Sequence, residues 1–338
     1  MKSKRTLLII LVWFVIVLAF LFSNIFLKET NSDEIIIKQA HVFYILVFLF
    51  VSVGIVLSQK SSKNKFLKLR TESEIIREKN KKIEEAHKDI TDSITYAKKL
   101  QDALLTPKEF IDRYFTEYFL FFKPKDQVSG DFYYVNKIGD RIICAVADCT
   151  GHGVPGGFLT IIGITYLHEI VRRNEMDNPG MALNVIRERI KRTFRTFGSE
   201  NQNGFDIVLC AINTKTNILE YAGAFNPLWI IRNSELVEYK ATRNPVALYP
   251  VEIEFENHVI QLEDNDLIYL FSDGFYDQFG GQKQKKFSKK RFRELILENH
   301  TLAFEEQEQI IEQAFYQWKG DTEQVDDVTV MGIKWQIS

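Results

Sequence analysis

Aspartates recur at the ends of apolar segments in this chain, and they are the residues best placed to do chemistry. Asp148 ends the apolar run 141–147 and precedes the glycine-rich segment 151–157. Glycines let a backbone approach a ligand closely, and a carboxylate supplies a hard oxygen ligand. Taken alone, the pattern is also typical of a glycine-rich turn capped by an aspartate.

The same arrangement occurs at three other places. Asp131 begins a predicted strand, Asp273 ends one, and Asp326 and Asp327 precede the last one. Because four strand ends each present an aspartate, we expect carboxylates to converge on hard divalent cations with oxygen ligands and bound water. The chain has no H-E-x-x-H, C-x-x-C or Walker lysine motif, so zinc hydrolases and nucleoside triphosphatases lack their characteristic residues.

Five ordered motifs, VSGDFY, DCTGHGVPGG, FNPLW, FSDGFYDQFGG and EQVDDVTV, resemble the SpoIIE-type branch of the metal-dependent PPM (protein phosphatase 2C-like) serine/threonine phosphatases. The resemblance extends from about Leu120 to the C-terminus. It implies an α/β fold, a four-layer α-β-β-α sandwich of two antiparallel sheets flanked by helices. It also implies two Mn²⁺ or Mg²⁺ ions at one edge between the sheets.

The resemblance further implies which residues hold these ions. The expected catalytic aspartates are Asp131, Asp148, Asp273 and Asp326. The expected metal-binding set comprises Asp131, Asp148 bridging both ions, Cys149 through its backbone carbonyl, Asp273, Asp326 and Asp327, the last directly or through water. The implied reaction is hydrolysis of a phosphoserine or phosphothreonine protein by metal-activated water. Gly156 and Gly157 stand where many relatives carry alanines, which would loosen the start of the following helix.

Neighbouring residues have two possible roles each. His152 either protonates the leaving oxygen or only hydrogen-bonds its loop. Lys123 and Lys125 either attract the phosphate or are ordinary surface lysines. Cys149 lacks the C-x5-R phosphate loop of cysteine phosphatases, so we expect its thiol to be a packed side chain.

Length and composition leave room for more than this domain. The chain has 338 residues, 46% of them hydrophobic, which is enough for a full catalytic domain and about a hundred further residues. A formal net charge of −2 argues against a nucleic-acid partner. The three cysteines have no metal-binding or disulfide spacing, which suits a reducing compartment.

Two apolar runs near the N-terminus predict a membrane anchor over residues 1–59. The first extends from Leu7 to Leu27 and the second from Ala40 to Leu57, and each is long enough to cross a bilayer. A signal peptide is the alternative for the first run, but it exceeds the usual apolar length and no A-x-A pattern follows. Lysines and arginines flank the outer ends of the pair, so the positive-inside rule places both termini in the cytoplasm. We therefore expect a multi-pass inner-membrane protein with a cytoplasmic catalytic domain.

Residues 60–106 are predicted to form a long exposed helix that links the anchor to the catalytic domain at 107–338. Apolar residues recur every seven positions, which implies a left-handed coiled coil and hence a homodimer; they are Leu69, Ile76, Ile83, Ile90, Ala97 and Leu104. Whichever register is chosen, the companion seam contains polar residues, so the coil should be marginal until Ile94 and Leu100, and a solvated single-helix spacer is the alternative. The helix should stop near Pro107.

Within the catalytic segment, hydrophobic patterns predict nine strands and four helices. The strands are 118–123, 132–137, 141–147, 205–213, 218–222, 228–232, 255–262, 266–272 and 328–335; the helices are 158–172, 179–197, 290–299 and 304–318. This pattern suits an α/β sandwich. Together with the predicted anchor, the resemblance to the SpoIIE-type phosphatases implies a membrane-anchored, metal-dependent protein serine/threonine phosphatase. Two alternatives remain open: a catalytically inactive scaffold with the same fold, and a phosphohydrolase that acts on a small molecule.

Overall fold

The computed structural model of the protein describes residues 12–22, 33–173, 177–196 and 203–337. These residues divide into two compact units, residues 1–88 and 89–338. The elements of the first unit are α1 (Val12–Phe22) and the N-terminal part of α2 (Asp33–Leu104). The parts of the predicted apolar run 7–27 that flank α1 lie outside the described residues.

Helix α2 is a single continuous helix of 72 residues. The sequence predicts its apolar and charged parts as separate segments, but the segment 33–104 contains no proline and one glycine, so nothing interrupts the backbone hydrogen bonds. Most of the large apolar side chains of residues 42–57 are exposed, and by length and composition this helix is a candidate membrane span. The seam residues Leu69, Ile76, Ile83 and Ile90 are also exposed in the single chain. The coiled coil stays a prediction.

The second unit contains two antiparallel sheets and a hairpin. The first sheet has the strand order β1 (Tyr118–Lys123), β13 (Val328–Lys334), β10 (Leu267–Phe271), β6 (Leu228–Arg232) and β7 (Glu235–Tyr239). The second has the order β2 (Asp131–Ile138), β3 (Arg141–Cys149), β4 (Gly204–Asn213), β5 (Ile218–Ala224) and β9 (His258–Gln261), with β8 (Val246–Ala247) paired to β4. Strands β11 (Phe279–Gly280) and β12 (Lys285–Lys286) form the hairpin.

Helices cover the outer face of each sheet. The remaining helices are α3 (Lys108–Ile111), α4 (Gly153–Arg172), α5 (Pro179–Thr196), α6 (Gly274–Asp277), α7 (Lys289–Asn299) and α8 (Phe304–Lys319). α4 and α5 pack on the second sheet, and α7 and α8 pack on the first. A third apolar cluster lies between the sheets. This is the predicted four-layer α-β-β-α sandwich.

Alternation along the strands decides which face each side chain occupies. In β3, Ile142, Cys144 and Val146 belong to the cluster between the sheets, whereas Ala145 and Ala147 face α4 and α5. α4 is also apolar and long enough to cross a membrane, but half of its apolar window is buried against the sheet, which makes it a core helix. It begins at Gly153, five residues before the predicted start, so the last glycines of the loop form its first turn.

Candidate active site

Three aspartates stand side by side at one end of the second sheet. Asp131 is the register partner of Asp148 across β2 and β3, and Asp148 is the partner of Asp206 across β3 and β4. Directly opposed residues of an antiparallel pair project from the same face. Because side chains alternate along a strand, Asp148 projects from the same face of β3 as Cys144 and Val146, which lie between the sheets. All three carboxylates therefore lie at the end of the core between the sheets.

Asp131 is held by two hydroxyls of the opposite sheet. Its Oδ2 accepts hydrogen bonds from Ser272 Oγ at 2.6 Å and Thr329 Oγ1 at 2.7 Å, and the residue is 1% exposed. Its Oδ1 is buried and has no hydrogen-bond partner among the described residues. Burial raises the pKa of Asp131 well above its ordinary value, although the two hydroxyl hydrogen bonds act in the opposite direction.

The first sheet brings Asp273 and Asp326 to the same edge. Burial, and then the charges of its aspartate neighbours, raise the pKa of Asp148 well above its ordinary value; these neighbours are Asp131, Asp273, Asp326 and Asp206. Burial chiefly raises the pKa of Asp273 to about 6 and that of Asp206 to about 7. The sequence-predicted carboxylates therefore form one electrostatically coupled group, in which negative charges lie close together with little solvent.

Asp327 contacts the backbone. Its Oδ1 accepts the N–H of Lys125 at 2.7 Å, and its Oδ2 accepts the N–H of Gly130 at 2.6 Å. The side chain therefore fixes the segment that leads into Asp131. Direct or water-mediated metal binding by Asp327 stays a prediction.

The glycines near Asp148 permit a close contact between two loops. A side chain at Gly156 would overlap the carbonyl oxygen of Gly151, and Gly130 lies close to the same oxygen. Thr160 of α4 donates from Oγ1 toward the carbonyls of Ser129 and Gly130 at 3.0 and 2.9 Å. Glycine at 156 thus lets the start of α4 pack against the Gly130 segment, instead of merely loosening the helix.

His152 is part of a polar chain at the rim of this edge. Its Nδ1 is 2.8 Å from Asp126 Oδ2, and its Nε2 is 2.9 Å from Lys125 Nζ, which also donates to the carbonyl of Val325 at 2.8 Å. Lys125 is therefore anchored beside the segment that carries Asp326. Lys123 instead stands over the ring of Tyr316, 5.7 Å from its centroid.

The side chain of Cys149 is buried and packs beneath the site. Its exposed fraction is 3%, and its Sγ lies 3.8 Å from Thr160 Oγ1. Burial raises the pKa of this thiol well above its ordinary value, so the thiolate that a cysteine nucleophile requires is disfavoured. These observations support its prediction as a packed side chain.

Gln101, near the end of α2, is a site neighbour that sequence reasoning missed. It is 2% exposed, its Nε2 donates to the carbonyl of Ser129 at 2.6 Å, and its Oε1 accepts the N–H of Ser129 at 2.9 Å. Thr106 makes a similar pair of bonds to Val135. The end of α2 therefore holds the strand that begins at Asp131. One amide within a helix of polar residues gives no sequence signal for such a contact.

The donors present fit a divalent cation. A buried, unpartnered carboxylate oxygen such as Asp131 Oδ1 is costly unless a cation or proton satisfies it. Among the described residues, no three His, Cys, Asp or Glu side chains form a ready-made shell around a single point. That arrangement is compatible with Mg²⁺-like ions, which bind through one or two carboxylates and retain several waters.

Solved structures with similar folds include three phosphatase-related chains. The SiaA-PP2C domain of Pseudomonas aeruginosa is 26% identical, with a TM-score of 0.68 over 74% of this chain and 99% of that one. The PP2C phosphatase domain, with a fragment of the regulatory domain, of SpoIIE from Bacillus subtilis is 18% identical (TM-score 0.55, 66% and 62% of the two chains). The RsbU and RsbW domains of a Mycobacterium tuberculosis protein are 16% identical (TM-score 0.53, 65% and 60%). None of the curated proteins matches the sequence.

The fold and these similarities define a PPM-type, protein phosphatase 2C-like serine/threonine phosphatase domain. The family model for stage II sporulation protein E (SpoIIE) matches residues 138–336, more than half of the chain. The protein therefore belongs to the SpoIIE family.

Proposed function

We propose that this protein is a membrane-anchored, metal-dependent phosphatase that hydrolyses phosphoserine or phosphothreonine in a protein on the cytoplasmic side of the membrane. The observation that carries the proposal is the aspartate edge, in which Asp131 Oδ1 is buried and no described residue hydrogen-bonds to it. Membership of the SpoIIE family supports the phosphatase class. The exposed apolar surface of α2 supports the anchor.

The aspartates would hold two Mn²⁺ or Mg²⁺ ions. The proposed ligands are Asp131, Asp148, Asp273 and Asp326, with the backbone carbonyl of Cys149, and with Asp327 directly or through water. Such ions, when bound, lower the pKa of a water molecule and neutralise charge on phosphoryl oxygens.

The chain's own residues orient these ligands. Ser272 and Thr329 fix the rotation of the Asp131 carboxylate, and Asp327 fixes the backbone before it. The Lys125 ammonium group, held by His152 and the carbonyl of Val325, stands at the rim, where we propose that it attracts the phosphate. With both ring nitrogens of His152 engaged, its proposed role is to position Lys125.

The first prediction is that full-length protein in detergent hydrolyses a phosphoserine peptide only when Mn²⁺ or Mg²⁺ is added. Asp148→Asn and Asp273→Asn should each reduce kcat/KM about a thousandfold, because loss of a ligand charge removes several kcal/mol of transition-state stabilisation. Thermal unfolding should remain cooperative, since asparagine keeps the volume of aspartate.

Three outcomes separate this function from its alternatives. Near-normal rates in both variants would contradict the assignment of the metal ligands. Wild-type protein that binds Mn²⁺ but hydrolyses no phosphorylated compound would be an inactive scaffold. Much higher kcat/KM on a small phosphate ester than on any phosphopeptide or phosphoprotein would indicate a small-molecule phosphohydrolase.

A further inference from the structure

The hairpin β11–β12 and the start of α7 carry a concentrated positive charge. Residues 279–293 include seven lysines and arginines and no aspartate or glutamate, in a chain whose formal net charge is −2. We call this segment the basic surface; its charged residues are Lys283, Lys285, Lys286, Lys289, Lys290, Arg291 and Arg293.

Intramolecular partners neutralise only part of this charge. Lys286 pairs with Asp277 at 2.7 Å, Lys289 and Arg293 both pair with Glu238, and Lys290 lies 3.8 Å from Glu294. Three carboxylates therefore serve four cations. A further cation, Arg291, stacks on the ring of Trp318, 4.5 Å from its centroid.

Lys283 and Lys285 remain available to a partner. Both are exposed, and neither has an acidic partner in the part of the chain that the structure describes. On one side the surface is bounded by the segment 319–323, because Thr322 Oγ1 donates to Gln284 Oε1 at 3.0 Å. That segment carries one lysine and two acidic residues, so the surplus of positive charge persists.

The basic surface begins at the rim of the aspartate edge. Asp277, the partner of Lys286, belongs to α6, and its N–H donates to the carbonyl of Asp273 at 2.9 Å. Gln278, directly before the hairpin, accepts the N–H of Val325 through Oε1 at 3.0 Å, next to Asp326. The hairpin is thus joined to two of the segments that form the candidate active site.

We propose that the basic surface binds an acidic segment of the phosphoprotein substrate, next to its phosphorylated residue. This inference rests on the proposed function, because it names the substrate class of the same site. Charge complementarity carries it: the basic surface begins beside a site to which a phosphorylated residue must come, and two of its lysines have no acidic partner among the described residues. Exposed lysines on flexible stems recognise net charge more than a fixed sequence. Binding of this kind is screened by salt over about 8 Å at physiological ionic strength.

A matched pair of double variants tests the proposal in full-length protein in detergent. Lys283→Glu with Lys285→Glu reverses the two available charges. Lys137→Glu with Lys215→Glu makes the same change in net charge at the ends of β2 and β4 that are opposite to Asp131 and Asp206. Both control lysines are exposed, and the exposed pair of Lys215 with Asp140 contributes little to stability.

The probes are two fluorescent phosphoserine peptides of equal length, with glutamates or glutamines flanking the phosphoserine. Binding is measured by fluorescence anisotropy in an Asp148→Asn background, which prevents turnover. We expect the acidic peptide to bind about tenfold more tightly at low salt, and this preference to decrease as NaCl is raised. The Lys283/Lys285 variant should lose the preference, and the control variant should retain it. With Asp148 intact, the two double variants should hydrolyse a small aryl phosphate at similar rates in the presence of Mn²⁺.

Equal affinity for the two peptides in wild-type protein, or equal losses in the two double variants, would overturn the proposal. A second arm compares nanodiscs of phosphatidylcholine with nanodiscs that contain phosphatidylserine. If charge reversal changes activity only with the anionic lipid and leaves peptide binding unchanged, the surface contacts the membrane and the proposal is wrong. If the peptides bind as expected but no phosphorylated compound is hydrolysed, the docking surface stands and the proposed function fails.

Discussion

The carboxylate of Asp131 has one oxygen that accepts two hydrogen bonds and one buried oxygen that has no hydrogen-bond partner in the described part of the chain. Burial, and then the charges of Asp327 and Asp326, disfavour the ionised form of Asp131. Burial and the charge of Asp131 likewise raise the pKa of Asp148. Such a group is costly in a metal-free protein at neutral pH. Proteins retain costly polar groups of this kind mainly where a ligand compensates them.

A prediction follows for Asp206, whose pKa burial raises to about 7. Because this value lies above the ordinary value of about 3.8, ionisation of Asp206 destabilises the folded state, and the penalty grows as pH rises toward 7. In the presence of a chelator, Asp206→Asn should therefore be more stable than wild type at pH 8, by about 2 kcal/mol, and the gain should be smaller at pH 5. Scanning fluorimetry of the full-length protein in detergent measures both differences.

The control for this prediction is Asp264→Asn, at an exposed aspartate before β10. It should change thermal stability little at either pH. Addition of Mn²⁺ at pH 8 should reduce the advantage of Asp206→Asn, since cations compensate the aspartate charges. An advantage that is the same at pH 5 and pH 8 would mean that relief of charge is not its cause.

At the scale of elements, the sequence predicted the strand bounds and strand faces that follow from residue alternation and from turn residues. β1 and β6 have the predicted bounds, and the strand-end aspartates lie at one edge, because period-two patterns define both strand and face. The hydroxyls of Ser272 and Thr329 were missed as partners of Asp131, since their contact depends on how the two sheets pack. The two-residue strands β11 and β12 were missed because so short a hairpin has no periodicity.

The end of α2 connects helix geometry to the candidate site. Gln101, in the last turn of α2, and Thr106, two residues after its end, hydrogen-bond to the backbone of Ser129 and Val135. Rotation of the end of α2 would therefore act on the segment that carries Asp131. The seven-residue seam from Leu69 to Leu104 has a polar companion seam. In a dimeric coiled coil, two packings of such a seam would differ by only a few kcal/mol, and a small rotation would bias them.

The prediction for this helix concerns insertions after Lys88 in full-length protein in membranes. One inserted residue changes the phase between the seam residues on either side by about 100 degrees, whereas seven restore it with a small supercoil error. Phosphatase activity should change severalfold with one residue and little with seven. Crosslinking through a cysteine introduced at Ile83 reports whether a dimer is present.

Equal rates for wild type and both insertions would show that α2 is only a spacer. Gln101→Ala provides an internal comparison, because it removes the contact with Ser129 and leaves the seam unchanged. If α2 transmits its state through this contact, the alanine variant should respond less than wild type to the one-residue insertion. An undiminished response would place the transmission elsewhere.

At the scale of the whole molecule, the distribution of charge around the apolar segments determines the expected topology. Lys2, Lys4 and Arg5 precede the first apolar run, and five lysines and arginines lie between residues 60 and 70. The loop between the runs carries charges of both signs, so the positive-inside rule favours cytoplasmic placement of both outer flanks. Catalysis on a cytoplasmic phosphoprotein requires this orientation of the domain that contains Asp148.

The last prediction tests this topology directly. Reporters that fold only in the cytoplasm should be active when fused after Lys60 and after Ser338. A cysteine introduced at Ser32 should react with an impermeant thiol reagent added to intact cells, since the loop between two spanning helices faces the outside. The native cysteines Cys144, Cys149 and Cys210 are all buried, so they should contribute little background until the cells are opened and the protein is unfolded. An inactive reporter after Ser338, or a shielded Ser32 position together with an inactive reporter after Lys60, would contradict the two-span orientation and would place the aspartate edge on the wrong side of the membrane for a cytoplasmic substrate.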